Sequence, residues 1–366
     1  MLSKIHVWRL IAGSLLCLPA LCENPATTQP ADPLEIATGA IRPVRNLAAR
    51  KAVLSFLGRA RDRYALRSAG SAYDLKVSFK VDSGGQTAFD GAWQMEDVFD
   101  PKLGLRWTAK ASGSYSITRI SSNGTIWEEA MGSYVPLRLE EARAALLDPM
   151  PSAANVAGQT LRTVKAVLNG VKLECILFSG SGGISGAGAH RRWQESEECI
   201  DPASGLLRVQ SQIPGRYYFY DYSRPVQLGG RILPDKVTVT EGGKTVSEIS
   251  VDSLTELPAA DPALFVPTEE MKARGPAAVL GGAQKRALDI GQAASAQGTV
   301  TDVVSVVGVV TAAGQLEEAH SLEPSNPNSQ PAIAAIQAKF FSLAPLPGAH
   351  PHQHFVFIVA RVFSSK

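Results

Sequence analysis

The chain has 366 residues, 45% hydrophobic and 19% charged, enough for two globular domains and too apolar for composition-driven disorder. Its 36 Lys and Arg face 34 Asp and Glu. Setting aside Lys4 and Arg9 of the signal-like start balances the two signs at 34 each. A neutral chain excludes a nucleic-acid reader, which needs a basic face.

Residues 1–22 read as a signal peptide. Lys4, His6 and Arg9 form a basic front, Leu10 to Cys22 a short apolar core, and Ala20-Leu21-Cys22 a small-residue cleavage site. The core is shorter than the roughly 20 residues that span a bilayer. An uncleaved anchor, which would tie the chain to a membrane, and lipidation at Cys22 are the other readings. Residues 23–42 are rich in Pro, Thr and Ala and form a flexible lead-in.

Leu47, Val53, Leu54 and Leu57 recur at helical spacing, which predicts a basic amphipathic helix over 44–67. Such a helix packs one face on a sheet or touches a membrane surface. From Tyr73 the period falls to two: Leu75, Val77, Phe79 and Val81 share one face and Lys76, Ser78 and Lys80 the other. Turn pairs then recur at Gly84-Gly85, Asn123-Gly124, Asn169-Gly170 and Gly242-Gly243, each between alternating runs. Asn-Gly in that setting is a strong hairpin signal, because both central residues need positive φ. The pattern predicts an antiparallel meander of about ten strands over 43–270, with a helix inserted at 136–147.

Two cysteines remain after the signal segment, Cys175 and Cys199. An even count in an exported chain predicts a disulfide between neighbouring strands; two free buried thiols are the alternative. The acidic run Glu195-Ser196-Glu197-Glu198 reads as the wet face of a strand. The Gly-rich stretch 179–190 lacks the Gly-Lys-Ser/Thr of a phosphate loop and reads as a hairpin tip. Tyr217, Tyr218, Phe219 and Tyr220 form the densest aromatic run. A strand with aromatics on both faces is buried on both, or forms a ligand-facing sheet wall on one. Residues 271–297 shift to Ala, Gly and Lys/Arg and read as a linker with a short helix near 284–288.

The last segment, 298–366, reads as strand, turn, strand, helix, strand. His350, His352 and His354 lead into its final strand. If extended, the run turns all three imidazoles to one side, as Zn²⁺, Cu²⁺ or Ni²⁺ would require; a solvated loop is the alternative. No G-x-S-x-G, S-x-x-K, H-E-x-x-H or paired C-x-x-C occurs, so the sequence calls for no enzyme activity and no cofactor.

Gly298-Thr299-Val300, Val306 to Val310, Gly314, Ala332, Ala335, Ile336, Phe341, Pro345 and Phe363 appear in an order that resembles the C-terminal domain of TonB-type energy transducers. The resemblance implies a small periplasmic β-β-α-β domain that pairs with a partner strand. The implied edge is Phe355, Val356, Phe357, Ile358, Val359 and Val362, which would bond through the main chain. Upstream, Tyr73-Asp74-Leu75-Lys76, Asp201 to Leu206, Tyr220-Asp221-Tyr222, Ile232-Leu233-Pro234 with Val237, and Asp261 to Pro267 more distantly resemble LolA-type lipoprotein carriers. That family implies a curved antiparallel half-barrel wrapped over helices, with an apolar cavity for acyl chains.

The expectation is thus an α+β chain. A large LolA-like sheet domain (43–270) is followed by a linker (271–297) and a TonB-like module (298–366). The first functional reading is a non-enzymatic periplasmic interaction protein with a cell-envelope protein partner. The alternatives are a carrier of an acyl chain or other apolar ligand, and a metal-binding protein built on the histidines.

Overall fold

The computed structural model describes residues 39–364 except 112, 148, 181–190, 194, 278–280, 291–298, 312–314 and 339–353; for 281–290, 299–301 and 354–364 it describes the backbone alone. Strand β1 (Arg42–Pro43) precedes helix α1 (Leu47–Tyr64). The helix starts where the sequence supplies a cap: the Asn46 side chain accepts from the Ala49 amide at 2.7 Å, satisfying one orphan donor of the first turn.

Then come β2 (Ala72–Val81), β3 (Gly91–Asp100), β4 (Gly104–Ala111), β5 (Tyr115–Ser122) and β6 (Thr125–Ala130). Helix α2 (Leu137–Leu147) and the single turn α3 (Ala153–Val156) interrupt them. Strands β7 (Thr160–Leu168), β8 (Val171–Ser179), β9 (Ser196–Ile200), β10 (Leu207–Ile213) and β11 (Arg216–Asp221) follow. A small hairpin, β12 (Val226–Leu228) and β13 (Arg231–Leu233), precedes β14 (Lys236–Glu241) and β15 (Lys244–Leu257). The expected turns hold: Asn123-Gly124, Asn169-Gly170 and Gly242-Gly243 all have positive φ and close the β5–β6, β7–β8 and β14–β15 hairpins.

These strands, without β12 and β13, make one antiparallel sheet of 13 in the order β1-β7-β8-β9-β10-β11-β14-β15-β2-β3-β4-β5-β6. Strand β15 is the splice, pairing with β14 on one side and β2 on the other. The sheet is open, with β1 and β6 at its ends, and the expected curl into a half-barrel is absent. One face carries the main core. Leu57, Ala60 and Tyr64 of α1 and Leu139, Ala142 and Leu146 of α2 pack there with Leu75, Val77, Phe79 and Val81, the four residues that alternation assigned inward. Under β7–β11 the opposite face is apolar too, built from Val164, Cys175, Leu177, Cys199, Val209 and Tyr217. Among the described residues, no helix is long and apolar enough to cross a membrane.

The chain continues through α4 (Glu269–Arg274), β16 (Gly281–Ile290), β17 (Thr299–Val310), β18 (Leu316–Ser321), α5 (Ser329–Gln337) and β19 (His354–Ser364). The expected strand-strand-helix-strand order is present, and Val304, Val306 and Val310 pack under Ala332 and Ile336 of α5. Two expectations are corrected. Residues 281–290, placed in a linker with a short helix, form a strand that pairs in parallel with β19; tertiary pairing overrides a weak local preference. The small sheet runs β16-β19-β17-β18. Strand β19, with Phe355, Val356, Phe357, Ile358, Val359 and Val362, is therefore interior. It bonds to β16 on one side and β17 on the other, and offers no open edge to a partner strand.

Candidate binding face and the charged junction between the sheets

The tyrosine strand β11 alternates as its period dictates. Tyr218, Tyr220 and Tyr222 enter the helix-covered core, and Tyr217 and Phe219 face the other side. Protein side chains stand against the inward tyrosines. Tyr64 of α1 meets Tyr220 edge-on at 6.0 Å, the Tyr220 hydroxyl donates to Gln210 Oε1 at 3.1 Å, and the Arg216 guanidinium lies 5.4 Å over Tyr218. The layer between sheet and helices is largely apolar, and the buried donors in or beside it without a hydrogen-bond partner include Trp107 Nε1, Tyr222 Oη and, next to their rings, Arg143 Nε and Arg208 Nε. Trp107 is fully buried between the guanidiniums of Arg119 and Arg143, each 4.9 Å from its ring. Burial pushes the Tyr222 hydroxyl far above its ordinary pKa, so it is a donor at any physiological pH.

On the opposite face Tyr217 and Phe219 stack at 6.1 Å. Phe219, Leu168 and Val171 line an open trough of about 510 Å³, rimmed by Arg208 and Lys236. Cys175 and Cys199 stand directly opposed in β8 and β9 and are joined, with sulfurs 2.02 Å apart. This is the expected disulfide. Glu197 lies beside them, but disulfide sulfurs are not thiolate ligands, so the three residues do not make a metal set.

The acidic run is not a solvated face. Glu195 takes two bonds from Arg162, at 2.6 and 2.5 Å. Glu197 pairs with Arg191 at 3.2 Å, and Arg191 also donates to Ser211 Oγ at 2.6 Å. All are buried. Carboxylates survive there only because cations from β7 and the segment before β9 reach them. Of the histidine cluster, His350 and His352 lie outside the described residues, and His354 opens β19 with its side chain undescribed.

Sequence reasoning missed a second buried cluster where the small sheet meets the large one. Arg138 of α2 donates to both Glu241 oxygens at 2.8 and 2.9 Å and to Glu141 at 3.1 Å. Arg216 of β11 contacts Glu141 and lies 3.5 Å from Glu241. From β18, His320 Nε2 sits 3.0 Å from Glu241 Oε2 and 3.2 Å from Arg138 Nη2. His320 Nδ1 is 2.9 Å from the Glu318 carbonyl, which only accepts, so Nδ1 carries a proton. Glu318, at a strained φ of 51°, turns its carboxylate onto the Leu137 amide at 3.0 Å and caps α2 from the other sheet. Burial raises the Glu318 pKa. Burial would raise Glu241 too, but the Arg138 and Arg216 charges outweigh it and hold Glu241 well below the carboxylate range. Apolar contacts surround the cluster, with Val307, Val309 and Leu322 against Leu137 and Ile213. Two guanidiniums and two carboxylates neutralise one another. The cluster is a fastener, and its members come from residues 138 to 320 with no local motif to announce them.

No protein-family model and no curated protein matches this sequence. Among solved structures, a LolA superfamily protein from Nitrosomonas europaea matches at 8% identity, covering 58% of this chain and 97% of that one, with a TM-score of 0.36. A putative outer membrane lipoprotein-sorting protein domain from Vibrio parahaemolyticus matches at 9%, covering 57% and 95%, with a TM-score of 0.35. The MucA/MucB complex of Pseudomonas aeruginosa matches at 12%, covering 58% and 62%, with a TM-score of 0.26. None of the three is a TonB-type energy transducer, and scores this low carry no functional argument.

Proposed function

We propose that this chain is a non-enzymatic, periplasmic carrier that shelters an apolar chain, such as the acyl group of a lipoprotein, between the large sheet and the helices laid on it. The observation that carries this reading is the largely apolar layer with orphaned donors in it, Trp107 Nε1 and Tyr222 Oη among them. A buried donor without an acceptor costs about 1–3 kcal/mol. The two donors stand five strand steps apart in the sheet, so an acyl ester or amide carbonyl entering the layer supplies an acceptor to one of them, while its hydrocarbon replaces side-chain contacts. The helix layer is tied down at its rim. Arg50 donates to the carbonyls of Ala157 and Gln159, Arg61 to that of Met150, and Arg231 to that of Asp62. The signal-like start and the Cys175–Cys199 disulfide support an exported, oxidising location.

The test is native mass spectrometry of protein purified from the periplasm, with displacement of a fluorescent fatty acid as the second readout. Leu57→Trp, which overpacks the layer from α1 at a cost of about 1–3 kcal/mol, is expected to abolish displacement while the far-ultraviolet circular dichroism still reports the folded sheet. A wild-type protein that carries no adduct and binds no fatty acid refutes the carrier reading. Interaction with a partner through β19 is not retained, because that strand is paired on both sides.

A further inference from the structure

The charge of this chain is unevenly placed. Residues 41–73 hold eight Arg and Lys against Asp62 alone, although the whole protein carries a formal charge of only +2. Most of these cations sit on or beside α1, and their placement is not explained by the helix. Arg61 and Arg63 in the last turn favour the negative end of the helix dipole. Arg45, Arg50 and Lys51 gather at the opposite end, whose first turn contains no acid, and there the dipole opposes them.

One side of α1 is a stripe at helical spacing: Leu47, Arg50, Lys51, Ser55, Arg59 and a single acid, Asp62, with Leu54 half-buried beneath them against the core. With Ala153 and Ala157 beside α3 it bounds a shallow groove of about 740 Å³. Leu47 is 83% exposed, the most exposed large apolar side chain among the described residues. It stands at a groove whose floor is apolar, with Leu54, Ala153 and Ala157, and whose rim carries Arg50, Lys51 and Arg59.

We infer that this face of α1 docks on an anionic bilayer surface, with Leu47 entering the headgroup boundary and Arg45, Lys51 and Arg59 meeting lipid phosphates. Charge complementarity selects an anionic occupant. The shallow groove, with no pocket to receive an anchoring side chain, favours a deformable lipid surface over a folded acidic protein. This docking is independent of whether the sheet–helix layer carries a cargo.

Cosedimentation of the purified protein with vesicles tests it, comparing 30% phosphatidylglycerol in phosphatidylcholine with pure phosphatidylcholine at low and high salt. Binding is expected to the anionic vesicles alone and to weaken with salt. Lys51→Gln and Arg59→Gln each cost about fivefold in affinity, and together about 25-fold. Leu47→Asp lowers affinity further, and Leu47→Trp gives a blue-shifted emission on anionic vesicles. All three replaced side chains are exposed, so melting temperatures stay unchanged. Equal binding to both vesicle types overturns the inference, as does wild-type affinity in the double variant. Binding to polyglutamate without binding to vesicles assigns the face to an acidic protein instead.

Discussion

Replacing Glu241 with Gln removes one negative charge from a site where every neighbour is arranged around it. Glu241 receives two hydrogen bonds from Arg138 and lies within 3.5 Å of Arg216 and 3.0 Å of His320. In the wild type, two buried guanidiniums face two buried carboxylates. In Glu241→Gln they face Glu141 alone, and one positive charge is left uncompensated out of water. Breaking a buried pair in this way costs about 3–5 kcal/mol. The amide keeps the shape and one acceptor oxygen, which places the expected loss near the lower end, about 3 kcal/mol. Because His320 and the Glu318 cap arrive from β18, the loss falls on the seam between the sheets. Hydrogen exchange is expected to show α5 and the β17–β18 pair losing protection before the β2–β5 strands do. The pH dependence follows from the depressed pKa of Glu241 in the folded protein. Its stabilisation is fully present above the unfolded carboxylate value of about 4.3 and is lost as pH falls through the lower folded value. The difference between wild type and variant in urea unfolding should therefore stay constant from pH 8 to about 5.5 and shrink below about 4. A loss under about 1 kcal/mol at pH 7, or a gap that closes between pH 7 and 5.5, refutes the reasoning.

Reduction or Cys175→Ser/Cys199→Ser should cost about 3 kcal/mol in urea unfolding, since the bond closes a loop with a sequence separation of 24. A change below 1 kcal/mol would show that the paired strands hold this register without it. Glu318→Ala should lower stability by about 1 kcal/mol through loss of the α2 cap. Glu318→Gln keeps the acceptor, and since burial raises this carboxyl's folded pKa, it should also remove a fall in stability as pH rises through the wild-type value. Identical pH profiles for the Gln variant and wild type would contradict that account. Gly104→Ala should fail to fold or lose several kcal/mol, because a Cβ at φ +116° would strike the Ser121 carbonyl oxygen across β4–β5; thermal melting decides. Leu57→Ala should cost about 2–5 kcal/mol as a core cavity, and a smaller loss would mean that the helix layer closes over the gap.

Local chemistry determined much of this protein. Period-two alternation from Tyr73 set which side chains of β2 face the helices, because a strand shows its sides in turn. The Asn-Gly and Gly-Gly pairs set the hairpins, because positive φ at two successive residues is a local requirement. None of those hairpins joins β8 to β9; it is the antiparallel pairing of these two strands across residues 180–195 that sets Cys175 opposite Cys199. Alternation records two environments per strand but not what fills them, so it did not reveal that Glu195 and Glu197 are buried against Arg162 and Arg191. It did not reveal that β19 is interior either, since strand order depends on β16, some 70 residues earlier, arriving beside it in parallel. The seam of Arg138, Glu141, Arg216, Glu241 and His320 exists only in three dimensions. Its members lie on four elements, and charges that would be ordinary surface residues in any one of them become a fastener once the two sheets exclude water between them.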